Sequence, residues 1–170
     1  MADPAARPLF RPEEILDALE EHDVRYVVIG GLAAALRGSP YPTGDVDITP
    51  ATDRANLGRL AAALRELEAK LRVQGLDEPI DWPLDDRSFD QGTTWTFRTR
   101  AGDLDICVRP DGTGGFPDLS KDATGMLLTE TLTVAVASLE DVIRSKEAAG
   151  RPKDLRVLPA LREVLERGGT

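Results

Sequence analysis

The chain has 170 residues, of which 41% are hydrophobic and 30% charged, and its formal net charge is −9. That length is enough for one domain with a core of its own, and the acidic balance argues against a broad nucleic-acid-binding surface. One cysteine, Cys107, rules out an internal disulfide, and with a single histidine the usual zinc ligands are missing.

The cellular location is predicted from what the sequence lacks. The N-terminal stretch MADPAARPLFRPEE carries prolines and acids instead of a basic region followed by an apolar core, so no signal peptide is expected. No apolar run reaches the length that crosses a bilayer. Together with the single cysteine, these features predict a cytoplasmic protein with no membrane contact.

Hydrophobic periodicity predicts helices and strands that alternate along much of the chain. Thr52 or Asp53 is expected to cap one helix, Ser138 to cap another, and Gly150 to end it. The predicted helices cover 11–23, 31–38, 52–72, 138–150 and 152–169, the last interrupted or kinked at Pro159, and the predicted strands cover 25–30, 44–49, 93–99, 102–109 and 132–137.

This order of elements predicts an α/β or α+β fold, in which helices flank a mixed β-sheet. Residues 1–138 are expected to form the core, and residues 139–170 a C-terminal helical segment that packs on it. The strands at 93–99 and 102–109 are close enough in sequence to form a hairpin. Residues 73–88 are predicted to be a loop, and the turn-rich stretch 110–125 an exposed one.

Two of the predicted strands carry aspartates at alternate positions. Because side chains alternate along a strand, Asp45 and Asp47 share one face, and Asp103 and Asp105 share a face of the other strand. Such neighbouring acids repel one another unless a cation lies between them. A site held by carboxylates alone favours Mg²⁺ or Mn²⁺. Three carboxylates around two such ions are suited to in-line displacement at phosphorus.

A glycine pair, Gly30 and Gly31, lies between a buried strand and a helix. Free backbone N–H groups at such a helix start, together with the helix dipole, suit an anion such as a triphosphate. A glycine pair or an Asp-x-Asp stretch taken alone is common in turns and at solvent edges. The combination of both with a later acidic strand is much more specific.

That combination resembles the minimal nucleotidyltransferase superfamily. More narrowly, the stretches GGLAAALRG…TGDVDI, GDLDI and SLEDVIRSKEAAGRPKDL resemble the toxins of bacterial type IV toxin–antitoxin pairs, of the AbiEii and mycobacterial MenT kind. The resemblance spans residues 25 to about 160. It implies a nucleotidyltransferase-type sheet and transfer of an NMP from an NTP to the 3′ end of a tRNA. Such a toxin would block translation and growth, and a cognate antitoxin would be its partner.

The resemblance also implies roles for individual residues. Gly30, Gly31 and Thr43 would bind the nucleotide, and Asp45, Asp47 and Asp105 would hold the metal. Lys146 would steady the triphosphate, and Asp154 would complete a late polar motif beside Arg151 and Lys153. Of these, Lys146 and Asp154 would act in catalysis, and Arg151 would help to bind the nucleotide. Asp105 matches the family motif better than Asp103, which stays open as the alternative.

The sequence departs from the family pattern beside this motif. Tyr41 stands where many members carry an arginine, and Gly44 follows Thr43. An arginine can clamp a phosphate with two hydrogen bonds, which a tyrosine cannot do, so substrate binding at this position is expected to differ from that of the family.

Several features remain open to more than one interpretation. Residues 144–167 carry seven basic and four acidic side chains, so they are either a track for RNA phosphates or an ion-paired helix face. The acidic surface also suits a cationic small acceptor such as an aminoglycoside, and a protein hydroxyl is a further alternative. A non-catalytic binding module on the same scaffold is the alternative from another class.

Other conspicuous side chains are expected to be structural. Cys107 is predicted to be a half-buried thiol, and His22 an exposed residue at a helix end. Trp82, Trp95 and Phe97 are predicted to anchor the core or loops and not to stack on a base.

Overall fold

The computed structural model describes residues 8–168 and places their β-strands in one mixed sheet between helices. The six helices of this part are α1 (Pro12–Glu21), α2 (Gly30–Leu36), α3 (Arg54–Glu66), α4 (Phe116–Asp122), α5 (Leu139–Ala149) and α6 (Pro152–Glu166). Its seven strands are β1 (Tyr26–Ile29), β2 (Asp45–Pro50), β3 (Lys70–Leu71), β4 (Thr94–Thr99), β5 (Gly102–Cys107), β6 (Thr124–Leu127) and β7 (Thr133–Val136).

The strand order brings together segments that are far apart in sequence. Along the sheet the order is β3-β4-β5-β2-β1-β7-β6. Strands β4 and β5 form the predicted antiparallel hairpin, whereas β2 lies parallel to β5 and antiparallel to β1. The two aspartate-bearing strands, β2 and β5, are therefore direct neighbours.

The two faces of the sheet differ in polarity. On one face the side chains of Val46, Ile48, Leu104 and Ile106 are fully buried, as the alternation predicted. Helix α1 packs against β2, β5 and α3, and its leucines and isoleucine share the core with these strands. Each fully buried aliphatic side chain contributes about 1.5–3 kcal/mol, so this face anchors the strands and leaves the opposite face to polar residues.

A buried arginine ties α2 to the far side of the sheet. Arg37 donates hydrogen bonds to the backbone oxygens of Val136 and Ala137 at 2.8 and 3.1 Å, and to Thr124 Oγ1 at 2.8 Å. Helix α5 starts at Leu139, after its cap Ser138, and packs on α2. The helix that begins at the glycine pair and the helix that carries Lys146 are thereby held together.

Several predicted helix ends are confirmed. Asp53 accepts a hydrogen bond from the Asn56 amide at 3.1 Å, and Ser138 accepts one from the Asp141 amide at 3.1 Å. Gly150 ends α5 with a φ of 62°, a left-handed conformation that glycine adopts without strain. Short polar side chains and glycine thus mark the helix ends as the sequence indicated.

The predicted helix 52–72 is too long. Helix α3 ends at Glu66, and Glu68 has a φ of 55°, which no helix residue adopts. Leu71, which lies inside the predicted helix, pairs with Phe97 of β4 and bridges to Ile80. Sheet pairing, a tertiary contact, overrides the helical periodicity here.

The prediction of an exposed loop over 110–125 is also wrong in part. Residues 116–122 form α4, in which Leu119 is buried, and β6 begins at Thr124. A seven-residue helix is too short to show a clear period, and β6 is held by its pairing with β7.

Three smaller predictions have mixed outcomes. Helix α6 runs through Pro159 without interruption, and the alternative of a kink at Pro159 stays a prediction. His22 lies at the end of α1, as predicted, but it is only partly exposed, and its Nε2 lies 2.9 Å from Glu66 Oε2. Trp95 and Phe97 are buried in the core, as predicted.

Within residues 8–168, each helix is too short or too polar to cross a bilayer.

Candidate active site

Three carboxylates converge on the polar face of the sheet. Asp45 and Asp47 come from β2 and Asp105 from β5, and each offers an oxygen within 4.8 Å of the others. The parallel register aligns Asp47 with Asp105 directly across the two strands. We refer to Asp45, Asp47 and Asp105 as the carboxylate cluster.

Asp103 lies outside this cluster although it is aligned with Asp45. Its carboxylate is bound by Arg72 at 3.0 Å and by Arg98 at 3.4 Å. Two guanidinium partners already neutralise this acid, so it is less available to a metal ion. The geometry therefore favours Asp105 over Asp103 as the third carboxylate.

The electrostatics of the cluster favour a bound cation. Burial, and then repulsion from Asp45 and Asp105, raises the pKa of Asp47 to about 8, while nearby Lys146 acts in the opposite direction. Burial also raises the pKa of Asp105, whose Oδ1 is buried and makes no hydrogen bond within the described chain. Unpartnered carboxylate oxygens at this spacing fit a hard, oxygen-binding ion such as Mg²⁺ or Mn²⁺.

The glycine pair allows the backbone to approach the cluster closely. Gly30 has a φ of +66°, and a Cβ there would lie 2.9 Å from Cγ of Asp47. A Cβ on Gly31 would lie 3.0 Å from Thr43 Oγ1. That hydroxyl is 3.2 Å from Asp45 Oδ1 and 3.1 Å from the Asp45 backbone oxygen. Thr43 thus contacts a carboxylate of the cluster.

The start of α6 lies beside the end of α5 and carries the late polar motif. Asp154, only 3% exposed, accepts a hydrogen bond from Arg151 Nε at 2.6 Å and lies 3.8 Å from Lys146 Nζ. The turn at Gly150 brings these residues together. Asp154 therefore holds two cationic side chains in place and is not a free carboxylate.

A single cleft unites the predicted residues. Its volume is about 450 Å³, within the range of small-molecule sites. Thr43 does not line the cleft itself, but it contacts Asp45, which does. The predicted residues that line the cleft are Gly30, Gly31, Asp45, Asp47, Asp105, Lys146, Arg151 and Asp154.

Other residues of the cleft were not singled out from the sequence. Arg109 and Asp111 form part of its wall. Gly112, next to Asp111 but outside the lining, packs so closely on α5 that a Cβ would lie 3.2 Å from the Arg144 backbone oxygen. Arg109 lies an even number of positions after Asp105 and Cys107. Alternation along the strand could therefore have predicted that it shares their face. Ser145 and Thr94 had no comparable signal, because only the packing of α5 and the β4–β5 register bring them to the cleft.

Comparison with known proteins identifies the fold. No protein-family model and no curated protein matches the chain. Among solved structures, the lincosamide antibiotic adenylyltransferase LnuA in its lincomycin-bound form is 16% identical with a TM-score of 0.60, and the match covers 92% of this chain and 99% of LnuA. The antibiotic-resistance factor ANT(2″)-Ia is 17% identical with a TM-score of 0.58, and the match covers 91% and 82% of the two chains.

A third structure is that of TM1012 from Thermotoga maritima, a candidate nucleotidyltransferase. It is 23% identical with a TM-score of 0.54, and the match covers 94% of this chain and 97% of TM1012. Each of these matches spans more than nine tenths of the present chain. The protein therefore has a nucleotidyltransferase-like fold: a mixed sheet flanked by helices, with a helical C-terminal segment.

Proposed function

We propose that this protein transfers a nucleoside monophosphate from an NTP to a hydroxyl group of an acceptor, with release of pyrophosphate and the aid of a divalent cation. The observation that carries this proposal is the carboxylate cluster, which faces a cleft that also holds Lys146 and the glycine pair. Clustered acids that bind no cation would only destabilise the fold through repulsion, so their convergence favours a cation-dependent role.

Several residues of the cleft support the binding of a triphosphate there. Lys146 and Arg151 supply positive charge for the phosphate oxygens, and Asp154 fixes both side chains. The backbone at Gly30 and Gly31 can approach the phosphates because no Cβ intervenes. Lys146 is 17% exposed, so a phosphate bound to it would be largely shielded from solvent.

The proposed step is an in-line displacement. The acceptor oxygen forms a bond to the α-phosphorus while the bond from that phosphorus to the pyrophosphate oxygen breaks. The hydroxyl proton passes to a carboxylate, for which we propose Asp105 because its Oδ1 has no hydrogen-bond partner among the described residues. Mg²⁺ or Mn²⁺, held by Asp45, Asp47 and Asp105, would supply charge neutralisation at the phosphate and the attacking oxygen.

Specific observations bear on two classes of acceptor. The first is the 3′ end of a tRNA, as in the toxins that the sequence resembles, with a cognate antitoxin as partner. In favour of RNA, Lys153 and Arg156 have no ion-pair partner within residues 8–168. Against it, most arginines of the basic segment pair with acids of their own chain: Arg144 with Asp118 and Asp141, Arg151 with Asp154, Arg162 with Glu147, and Arg167 with Glu163.

The second class is a small molecule that carries hydroxyl groups. It is supported by the similar folds of LnuA, solved with lincomycin bound, and ANT(2″)-Ia, solved with adenylyl-2″-tobramycin. The net charge of −9 adds to this support, since an acidic protein attracts cationic acceptors and repels polyanions.

The test is a labelling reaction with purified protein, Mg²⁺ and each radiolabelled NTP, offered either total tRNA or a panel of small hydroxyl-bearing antibiotics. Asp47→Ala should abolish labelling while the near-UV circular dichroism stays native. Asp17→Ala, on the exposed side of α1, is the control and should label normally. Undiminished labelling by Asp47→Ala would remove the carboxylate cluster from the mechanism.

Calorimetry tests the proposal without relying on turnover. Titration of Mg²⁺ and each NTP into the protein should release heat, and Asp47→Ala should bind neither the ion nor the nucleotide with full affinity. If no nucleotide gives heat, the proposal fails and a non-catalytic binding module is favoured instead.

A further inference from the structure

A second groove meets the cleft at Asp105. It has a volume of about 610 Å³ and is lined by Arg72, residues 73–79, Thr96 and Arg98, together with Asp105 itself. Asp105 also belongs to the wall of the first cleft. A ligand in this groove, which we call the β3–β5 groove, would therefore touch the carboxylate cluster.

The sheet provides a continuous polar floor between the two sites. In the β4–β5 register Thr96 is opposite Asp105 and Arg98 is opposite Asp103. In the β2–β5 register Asp105 is in turn opposite Asp47. Because directly paired residues point to the same face, the row Thr96, Asp105, Asp47 leads from the groove into the cluster.

The groove and the glycine pair lie on opposite sides of the cluster. In the strand order, β3 and β4 flank β5 on one side, while β2 and then β1, which leads into Gly30, lie on the other. A triphosphate bound near Gly30 and Lys146 would leave the β3–β5 side of the cluster open. In-line displacement needs the attacking oxygen on the side of the α-phosphorus that is opposite the leaving pyrophosphate.

The free charges of the groove are negative. Arg72 and Arg98 are both engaged by Asp103. Asp77 and Glu78 are exposed on the rim and form no ion pair with any residue of the described range 8–168. Two apolar side chains, Val73 and Leu76, are 37% and 54% exposed beside them and offer contact area for the face of a ring.

From these observations we propose that the β3–β5 groove binds the acceptor, and that the acceptor is a cationic polyhydroxylated small molecule such as an amine-bearing oligosaccharide. Its ammonium groups would meet Asp77 and Glu78, its ring faces would pack on Val73 and Leu76, and one hydroxyl would reach Asp105. This inference rests on the proposed nucleotidyl transfer and adds the acceptor's place and charge.

The test compares three trisaccharides of similar size and different charge: triglucosamine, maltotriose and trigalacturonate. Binding is measured by calorimetry at mildly acidic pH, where the amines are protonated, in the presence of Mg²⁺ and a non-hydrolysable NTP analogue. Label transfer from the NTP is measured in parallel, with total tRNA as a fourth acceptor. Triglucosamine should bind best and trigalacturonate worst.

The variant Asp77→Asn/Glu78→Gln should weaken triglucosamine binding and raise its KM by roughly tenfold, since two exposed charge contacts are lost. Its affinity for the NTP analogue should not change. The matched control Asp17→Asn/Glu130→Gln removes the same charge from α1 and from the β6–β7 turn at the far edge of the sheet. It should leave triglucosamine binding as it is.

Failure of this inference can be told apart from failure of the proposed function. If label is transferred but tRNA is preferred, or if both double variants behave alike, the acceptor does not dock in the groove while nucleotidyl transfer stands. Equal binding of the three trisaccharides would likewise overturn the inference. If neither NTP binding nor label transfer occurs, the proposed function fails, and the acceptor assignment fails with it.

Discussion

Asp47 shows, at the scale of one residue, how a carboxylate that is suited to bind a cation can also lower the stability of the fold. Burial and the neighbouring Asp45 and Asp105 raise its pKa to about 8, so the folded chain binds a proton here more tightly than the unfolded chain does. The stabilisation that this proton provides is present at acidic pH, and it is lost as the pH rises towards about 8. Without metal, the protein is therefore expected to become less stable as the pH rises through this range.

The substitution Asp47→Asn should remove this loss of stability at high pH. Above pH 8 and without metal, we expect its free energy of unfolding to exceed that of the wild type by about 1 kcal/mol or more, which corresponds to roughly 2–4 °C in Tm. Thermal unfolding over a pH series with a chelator measures this difference, which should shrink at acidic pH. Added Mg²⁺ should raise the Tm of the wild type alone. If Asp47→Asn is less stable than the wild type at high pH, burial and repulsion of the Asp47 carboxylate do not destabilise the fold as proposed.

The glycine pair provides a second prediction about single residues. Gly30→Ala forces a side chain into a left-handed backbone conformation and against the carboxylate of Asp47. We expect a loss of about 1–3 kcal/mol in stability and a clear loss of Mn²⁺ affinity. Gly44→Ala is the matched control, because a Cβ there would meet no atom within 4 Å. Chemical denaturation and metal titration of both variants provide the comparison, and equal behaviour would argue against a special role of Gly30.

At the scale of elements, the junction of α5 and α6 decides what the late basic segment does. Lys146 and Arg151 both line the cleft and share Asp154 as their acidic partner. Arg162 instead pairs with Glu147 and does not line the cleft. The basic residues of one segment therefore divide into a group at the cleft and a group on the helix surface.

Lys146→Ala and Arg151→Ala should each weaken NTP binding by roughly tenfold, with any acceptor, because each removes a charge partner of the triphosphate. Arg162→Ala should leave NTP binding unchanged and cost less than about 1 kcal/mol of stability, as expected for an exposed ion pair. Calorimetry with a non-hydrolysable NTP separates these outcomes. If Arg151→Ala affects only reactions with tRNA, Arg151 contacts the RNA and the nucleotide assignment is wrong.

At the scale of the whole molecule, the C-terminal helices share the core of the sheet. Leu139, Val142 and Ile143 of α5 belong to the same buried cluster as the strands, and so do Leu158 and Leu161 of α6. Removal of residues 139–170 would expose apolar side chains on the remaining part of that cluster. We therefore propose that residues 1–138 and the C-terminal helical segment form one folding unit, and we expect no independent folding of the first part.

The full chain should unfold in one cooperative transition, and a fragment of residues 1–138 should lack native tertiary structure. Coincident transitions by far-UV circular dichroism and by the fluorescence of Trp82 and Trp95 would support this for the full chain. The fragment should show weak near-UV dichroism. A fragment with sharp thermal unfolding would show instead that the core folds without α5 and α6.

Much of the fold and of the site could be predicted from sequence because the deciding signals are local. Alternation placed Asp45 and Asp47 on one face, and capping residues such as Asp53, Ser138 and Gly150 located helix ends. Such signals depend on a residue's own backbone geometry and on its near neighbours, so they are visible without the rest of the chain.

What remained had to come from the tertiary structure, because it depends on contacts between distant segments. The β2–β5 pairing placed Asp105 next to Asp47, and the two arginines from β4 and the end of β3 removed Asp103 from the cluster. The end of α3 and the existence of β3 were decided by pairing with β4, against the helical pattern of the sequence. The sequence by itself thus determined which side chains can carry the chemistry. Only the packing of the sheet decided which of them meet, because long-range pairing leaves no periodic trace in the chain.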